Sequence, residues 1–217
     1  MSNARQIKQR IKTAQNISKI TKAMEMVSAS KMRRAQAQAL ATRPYTQALQ
    51  ESLQRLASEV SSDVHPFLTE HGQGIDVAIL ISTDKGLCGG LNQNLFKEAI
   101  LWQKAHPNSK LIVVGRKAVA FAKVYGLEVH AQFTDLPDTI SANDTIAITT
   151  LASKAFLKQE FKSVSVIYMD FVSTLVQKVH TTQLLPLPKE VAEVLNEKTV
   201  STKNLQSTYL NQALKQF

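Results

Sequence analysis

The chain has one cysteine, Cys88, so no internal disulfide can form and the composition fits a reducing compartment. Its five histidines are scattered, and no Cys/His cluster has metal-ligand spacing, which leaves a structural zinc site without ligands. Long apolar runs are missing too. None exceeds five residues, and the one at residues 77–81 falls far short of the roughly 18 a membrane-spanning helix needs and suits a buried strand. No apolar segment follows the basic N-terminus, so a secretory signal is excluded. Glycine is absent from the first 59 residues, and among the first 34 the only acidic residue is Glu25.

What fills that N-terminal stretch is positive charge. Arg5, Lys8, Arg10, Lys12, Lys19, Lys22, Lys31, Arg33 and Arg34 give residues 1–34 a net +8 of the chain's formal +9. Apolar or small residues recur through the same stretch at Ile7, Ile11, Ala14, Ile17, Ile20, Met24 and Val27, then at Met32 and Ala35, with steps of three or four up to Val27. That is one face of a helix. Transit peptides are also basic and acid-poor, but they stop within a few tens of residues, whereas this stripe resumes beyond Pro44 at Tyr45, Leu49, Leu53, Leu56 and Val60. The spacing predicts a helix or helix pair over residues 3–60, on the order of 85 Å long, with a kink or short break at Pro44. Such a helix is too long to bury its stripe against its own domain and requires a partner.

The texture then changes. Residues 61–74 are polar, contain Pro66 and two glycines, and read as a linker with a His65-Pro66-Phe67-Leu68 knot. Residues 75–82 form an apolar run suited to a strand covered on both faces. A glycine-rich loop, a helix over 92–105, a strand at Lys110–Val114 and a helix at Arg116–Tyr125 closed by Gly126 follow. Val129–Phe133 reads as a short strand and 139–161 as a helix, with Asn143 or Asp144 as an N-cap inside it. Residues 163–171 and 175–185 read as a strand pair. This alternation predicts an α/β fold: a long coiled-coil helix plus a Rossmann-like, mostly parallel sheet with an antiparallel edge. The expected domains are 1–60, a linker at 61–74, an α/β domain at 75–190, and a helical start at 191–217.

The block Ser82-Thr83-Asp84-Lys85-Gly86-Leu87-Cys88-Gly89-Gly90-Leu91-Asn92 follows the first strand, where α/β folds place ligand loops. It matches neither the dinucleotide fingerprint, because Cys88 stands at the second glycine's place, nor a P-loop, so a structural or partner-contacting loop is the better reading. Cys88 beside Lys85 has no histidine nearby in sequence to act as base, and an unreactive thiol is expected. Asp135 and Asp138 flank Pro137 in a turn, and Gly115-Arg116-Lys117 sets two cations at a helix start, where the macrodipole disfavours them. No catalytic, cofactor-binding or metal-binding residue emerges.

For the basic helix three readings stand: an anionic membrane surface, nucleic acid phosphates, or a coiled-coil shaft surrounded by protein. The first lacks Trp and Phe on the apolar face, and the second lacks a nucleic-acid motif. Small residues such as Ala14, Ser28, Ala29, Ser30 and Ala35 suit the close packing of the third.

Ile7-Lys8-x-Arg10-Ile11 and Lys19-Ile20-Thr21-Lys22-Ala23-Met24-x-Met26-Val27-Ser28-Ala29-x-Lys31 resemble the N-terminal signature of the gamma subunit of F-type ATP synthases. The His65–Leu68 knot, the 82–92 block, the Gly115-Arg116-Lys117 turn and Gln183-Leu184-Leu185-Pro186-Leu187 follow in that family's order, so the resemblance covers roughly residues 3–190. It implies a non-catalytic rotor: a helical shaft inside a ring of alpha and beta subunits, with the α/β domain meeting the epsilon subunit and the c-ring. It further implies a role in ion-coupled ATP synthesis or hydrolysis, peripherally on the cytoplasmic face of a bacterial membrane and with no nucleic acid partner. By the same resemblance Lys8, Lys12, Lys19, Lys22, Lys31 and Arg33 would line the shaft. Met24, Lys31 and the loop residues Asp84, Lys85, Gly86, Cys88, Gly89 and Gly90 would lie near contacts with the alpha–beta ring. The family continues into a long C-terminal helix, of which residues 205–217 resemble the first turns. A truncated, weakly coupling member is therefore one expectation, and a basic-helix adaptor for nucleic acid or anionic lipid is the alternative.

Overall fold

A computed structural model describes residues 2–59, 65–137 and 140–187. The expectations for residues 61–64, for Asp138, and for the helix beyond residue 190 lie outside the described residues. The chain divides into two compact units, Met1–Leu49 and Gln50–Phe217.

Helix α1 runs Ser2–Glu59. Helix-forming residues and the absence of glycine favour it. Thr13, Thr21 and Thr46 turn their hydroxyls back onto the carbonyls of Gln9, Ile17 and Thr42 at 2.9–3.1 Å, so these β-branched residues keep their polar groups bonded within the helix. Pro44 lies inside the helix. The break allowed by the sequence is therefore not what occurs: one lost N–H and a local clash, costing about 3 kcal/mol, do not outweigh strong helix formers on both sides. Ile7, Ile11, Ile17, Ile20, Met24, Val27 and Met32 are all at least 48% exposed among the described residues.

The second unit is built on a five-stranded sheet in the order β3-β2-β1-β4-β5, with β1 at Ile75–Ile81, β2 at Lys110–Val114, β3 at Val129–Phe133, β4 at Phe161–Phe171 and β5 at Gln177–Leu185. The β1–β2, β1–β4 and β2–β3 pairs are parallel and β4–β5 is antiparallel, as the alternation of elements predicted. Strand periodicity splits β1 between two cores. Ala78 and Leu80 face one with Leu95, Trp102, Leu111, Val113, Phe121 and Ile167. Val77 and Ile79 face the other with Ile112, Ile148, Phe156, Phe161 and Val164. Helices α2 (Leu91–Ala105) and α3 (Arg116–Tyr125) supply the first core, and α4 (Ala142–Leu157) the second. Gly126 closes α3 in the left-handed conformation at φ 64°, as expected of a glycine in that place.

Two expectations are corrected. Helix α4 does not span 139–161. It starts after Ser141 and stops at Leu157, leaving Phe161 to open β4. Asp144 is not the N-cap but the third helical residue: its Oδ2 accepts from the Ser141 backbone N–H and from the Ser141 hydroxyl, both at 2.7 Å. Residues 65–71, read as linker, are packed. Leu68 is buried, Phe67 lies against the second core, the His71 ring packs tilted with its centroid 4.4 Å from that of Phe156, and the Leu187 N–H donates to the Phe67 carbonyl at 2.9 Å.

These two hydrogen bonds from Ser141 hold the Asp144 carboxyl below its ordinary value, the backbone bond contributing most. A depressed carboxylate pKa gives stability that is present above the unfolded value and lost as pH falls through the folded one. Asp144→Asn should therefore lower the Tm at pH 7, and the gap from the wild-type chain should close as pH falls below about 3.9 in thermal scans.

Candidate partner interface

Every cation of interest on α1 is at the surface. At about 100° per residue, Lys8, Lys12, Lys19 and Lys22 fall within about 80° of one another, and Arg33 falls in the same sector. The helix thus brings four of the five expected lysines into one row along several turns. Lys31 is not part of it. It shares a face with Met24, seven residues earlier, on the side carrying Ile17, Ile20 and Val27. The exposed helix therefore presents a row of ammonium groups on one side and, from Ile17 to Val27, a mainly apolar side that also carries Lys31.

The second candidate, residues 82–92, is a loop with a defined architecture. Helix α3 begins at Gly115, which has no side chain to cap the first N–H groups. The loop supplies the cap from 32 to 36 residues away. The Arg116 N–H donates to Asp84 Oδ1 at 2.9 Å, the Lys117 N–H to the Thr83 carbonyl at 3.1 Å, and the Ala118 N–H to Ser82 Oγ at 2.7 Å. The three open donors of the first turn are thereby satisfied before Val119 begins the intrahelical ladder on Gly115. Gly115 is required twice over. Its φ is 93°, and a Cβ there would come within 2.5 Å of the Ser82 carbonyl oxygen.

This capping settles what the helix start can bind. The partial positive charge that would attract a phosphate already holds the Asp84 carboxylate, whose Oδ1 also lies 3.9 Å from Arg116 Nε. The awkward pair Arg116-Lys117 at a helix start is offset in the same way. Sequence reasoning treated the 82–92 block and the 115–117 turn as separate features, and the structure joins them.

Inside the loop, Asn92 is the organiser. Its Oδ1 accepts from the Thr83 N–H at 3.4 Å, and its Nδ2 donates to Thr83 Oγ1 at 2.7 Å and to Cys88 Sγ at 3.3 Å. Thr83 Oγ1 in turn donates to the Lys85 carbonyl at 2.7 Å. Cys88 is half-buried and serves as an acceptor. Lys85, Gly86, Gly89 and Gly90 are exposed. One residue escaped the sequence reading: Leu87, fully exposed and at φ 61°. Its signal was an apolar side chain between Gly86 and Cys88 that belongs to no periodic stripe. Among the described residues no group of three or more His, Cys, Asp or Glu could hold a metal ion, and no helix is long and apolar enough to cross a membrane.

A family model described as ATP synthase matches residues 3–217. Among curated relatives, the ATP synthase gamma chain of Legionella pneumophila (strain Corby) is 38% identical over 193 residues, covering 87% of this chain and 67% of its own length. The ATP synthase gamma chain of Glaesserella parasuis serovar 5 is 42% identical over the same shares. The chain thus spans about two thirds of the length of these relatives. A central stalk and c-ring structure of the Tetrahymena thermophila mitochondrial ATP synthase superposes with a TM-score of 0.60 at 23% identity, covering 77% of this chain and 72% of that one, a likeness of fold.

Removing the capping hydroxyl tests the joined loop and helix. Ser82→Ala leaves the buried Ala118 N–H without its acceptor and should cost about 1–3 kcal/mol. Thermal unfolding should show a Tm lower by roughly 2–10 °C, and hydrogen exchange should quicken at the amides of Arg116, Lys117 and Ala118.

Proposed function

This chain belongs to the ATP synthase gamma-chain family, and on that premise we propose how its surfaces perform the role. As a gamma chain it is a non-catalytic central-stalk subunit of ATP synthase, associated with the membrane peripherally through the complex. Its proposed partners are the alpha and beta subunits, the epsilon subunit and the c-ring, and its proposed place is the cytoplasmic face of a bacterial cell membrane. The proposed division has residues 1–60 as shaft, 75–190 as the α/β domain, and 191–217 opening a further helix.

The observation that carries this reading is the pair of unlike surfaces on α1. The apolar stripe contributes roughly 1.5–3 kcal/mol for each side chain it fully buries, which suits a lasting seam with another helix. The lysine row suits the opposite need. Exposed ion pairs are worth about 0–1 kcal/mol each and act over a Debye length of about 8–10 Å. Contacts of that strength orient a turning shaft without holding it at one angle. Lys8, Lys12, Lys19, Lys22 and Arg33 are proposed to face acidic groups of the alpha–beta ring in passing. Met24 and Lys31, on the face of the stripe, are proposed to meet the ring where the seam with the other helix leaves that face open. Asp84, Lys85, Gly86, Cys88, Gly89 and Gly90 are proposed as a second contact, held rigid by the Asn92 network.

A chain with no chemistry of its own couples by geometry. Because the shaft is asymmetric, each orientation presses differently on the three catalytic sites around it, and their nucleotide affinities change in turn. Lys8→Glu, Lys12→Glu, Lys19→Glu and Lys22→Glu combined should leave the sheet domain folded yet lower ATP-driven proton pumping in reconstituted complexes at least tenfold. Raising salt should depress the wild-type complex toward the variant. Pumping equal to wild type at low salt would contradict the proposed role of the lysine row.

A further inference from the structure

The chain passes from α1 to β1 through residues 60–74. A free connection of that length would span roughly 20 Å and follow the turning of neither end. The described part of this one, from His65 onward, is pinned instead. The Phe67 ring centroid lies 6.2 Å from that of Phe156, and Leu68 is buried. The His71 ring meets the same phenylalanine at 4.4 Å. At Gly74, with φ 102°, the backbone runs so close to the turn after α4 that a Cβ would lie 2.8 Å from the Gln159 carbonyl oxygen and 2.9 Å from the Lys162 nitrogen. The Ile75 N–H then donates to the Glu160 carbonyl at 3.1 Å.

The way out of the sheet domain is fastened at the same place. After β5 the Leu187 N–H donates to the Phe67 carbonyl at 2.9 Å, and the Gln183 side-chain amide donates to the Pro186 carbonyl at 2.9 Å. Pro186 is buried, and Leu185 packs on the second core. Entry and exit are thus clasped to each other and to Phe156, a fully buried side chain of α4. Strand β1 already has a paired strand on each side and a core on each face without this clasp. Connections ordinarily run loosely over the surface, whereas this one gives up its freedom along the whole described length.

We infer that residues 65–75, clasped with 185–187 around Phe156, form a torque-bearing joint through which turning is passed between α1 and the sheet domain without slack. The inference rests on the gamma-chain reading and adds to it the residues that carry twist along the chain. With 65–75 pinned, only residues 60–64 stand between α1 and the clasp. Twist that reaches His65 is delivered to α4 and β5 together, rather than taken up by bond rotations in a free connection. Phe67 is the positioning residue of the joint. Its ring holds the entry on α4, and its carbonyl holds the exit after β5.

The test uses the full chain in reconstituted complexes with the other synthase subunits and reads protons pumped per ATP hydrolysed. Phe67→Ala should keep ATP hydrolysis within about twofold of wild type yet lower that ratio about two- to tenfold, because losing one packed ring moves the balance from engaged toward slipped joints. Phe67→Tyr keeps the ring and should stay within about 1.5-fold of wild type. Ile148→Ala is the control. It opens the same core on α4 about 12 Å of helix before Phe156, and it should lower the free Tm while leaving the ratio unchanged. Should Phe67→Ala lower the free Tm more than this control does, Phe67→Leu replaces it, with a fall of at least about 1.5-fold expected. An unchanged ratio in the Phe67 variants overturns the joint and leaves the gamma-chain reading standing. An equal fall in Ile148→Ala overturns it as well, since the effect then follows stability rather than the clasp. If the wild-type chain neither joins the alpha and beta subunits nor supports pumping, the gamma-chain reading falls and the joint with it.

Discussion

Helix α3 begins without a cap of its own, and the Ser82–Asp84 strap supplies one. Three hydrogen bonds of 2.7–3.1 Å join the end of β1 to the start of α3. Much of the functional surface follows from this junction. It requires Gly115, it fills the anion-attracting helix start with the chain's own carboxylate, and it anchors the loop that presents Lys85 and Leu87. A glycine-rich loop in the place where related folds hold nucleotide phosphates has become a rigid protrusion. That conversion suits a subunit that transmits force rather than one that performs chemistry.

The two compact units carry complementary tasks. The sheet domain buries β1 on both faces and gives the loop a stiff base. Helix α1 carries an apolar stripe that is exposed among the described residues, and it arranges several of its cations in a row. Apolar contact is strong and slow to exchange, whereas exposed charge contact is weak and quickly remade. A rotor needs both, the first for what turns with it and the second for what it turns against.

Much of the fold was legible because local signals and tertiary packing agree. β2, α3 and β3 have the bounds read from the sequence: buried β2 leaves an unbroken apolar segment and Gly126 marks the end of α3, whereas β3 is a largely exposed edge strand. The start of α4 was misplaced because Asp144 is a carboxylate that serves a cap from the third position, and single-residue reading favours it as the cap itself. At Pro44 the break that the sequence allowed does not occur, the local penalty being smaller than the helix preference around it. Sequence also showed that residues 82–92 and 115–117 were unusual. It could not show that they touch, because hydrogen bonds across 32–36 residues leave no periodic trace. Leu87 was missed for a related reason: exposure and backbone angle belong to the folded loop, not to the residue type.

The most direct measurement is hydrogen exchange on the full chain, free and assembled into the synthase. The account predicts that assembly slows exchange most strongly over residues 7–33 and 82–92, with little change in the buried strands β1 and β2, which are already protected. Unchanged exchange in both segments, with new protection confined to other surfaces, would contradict it.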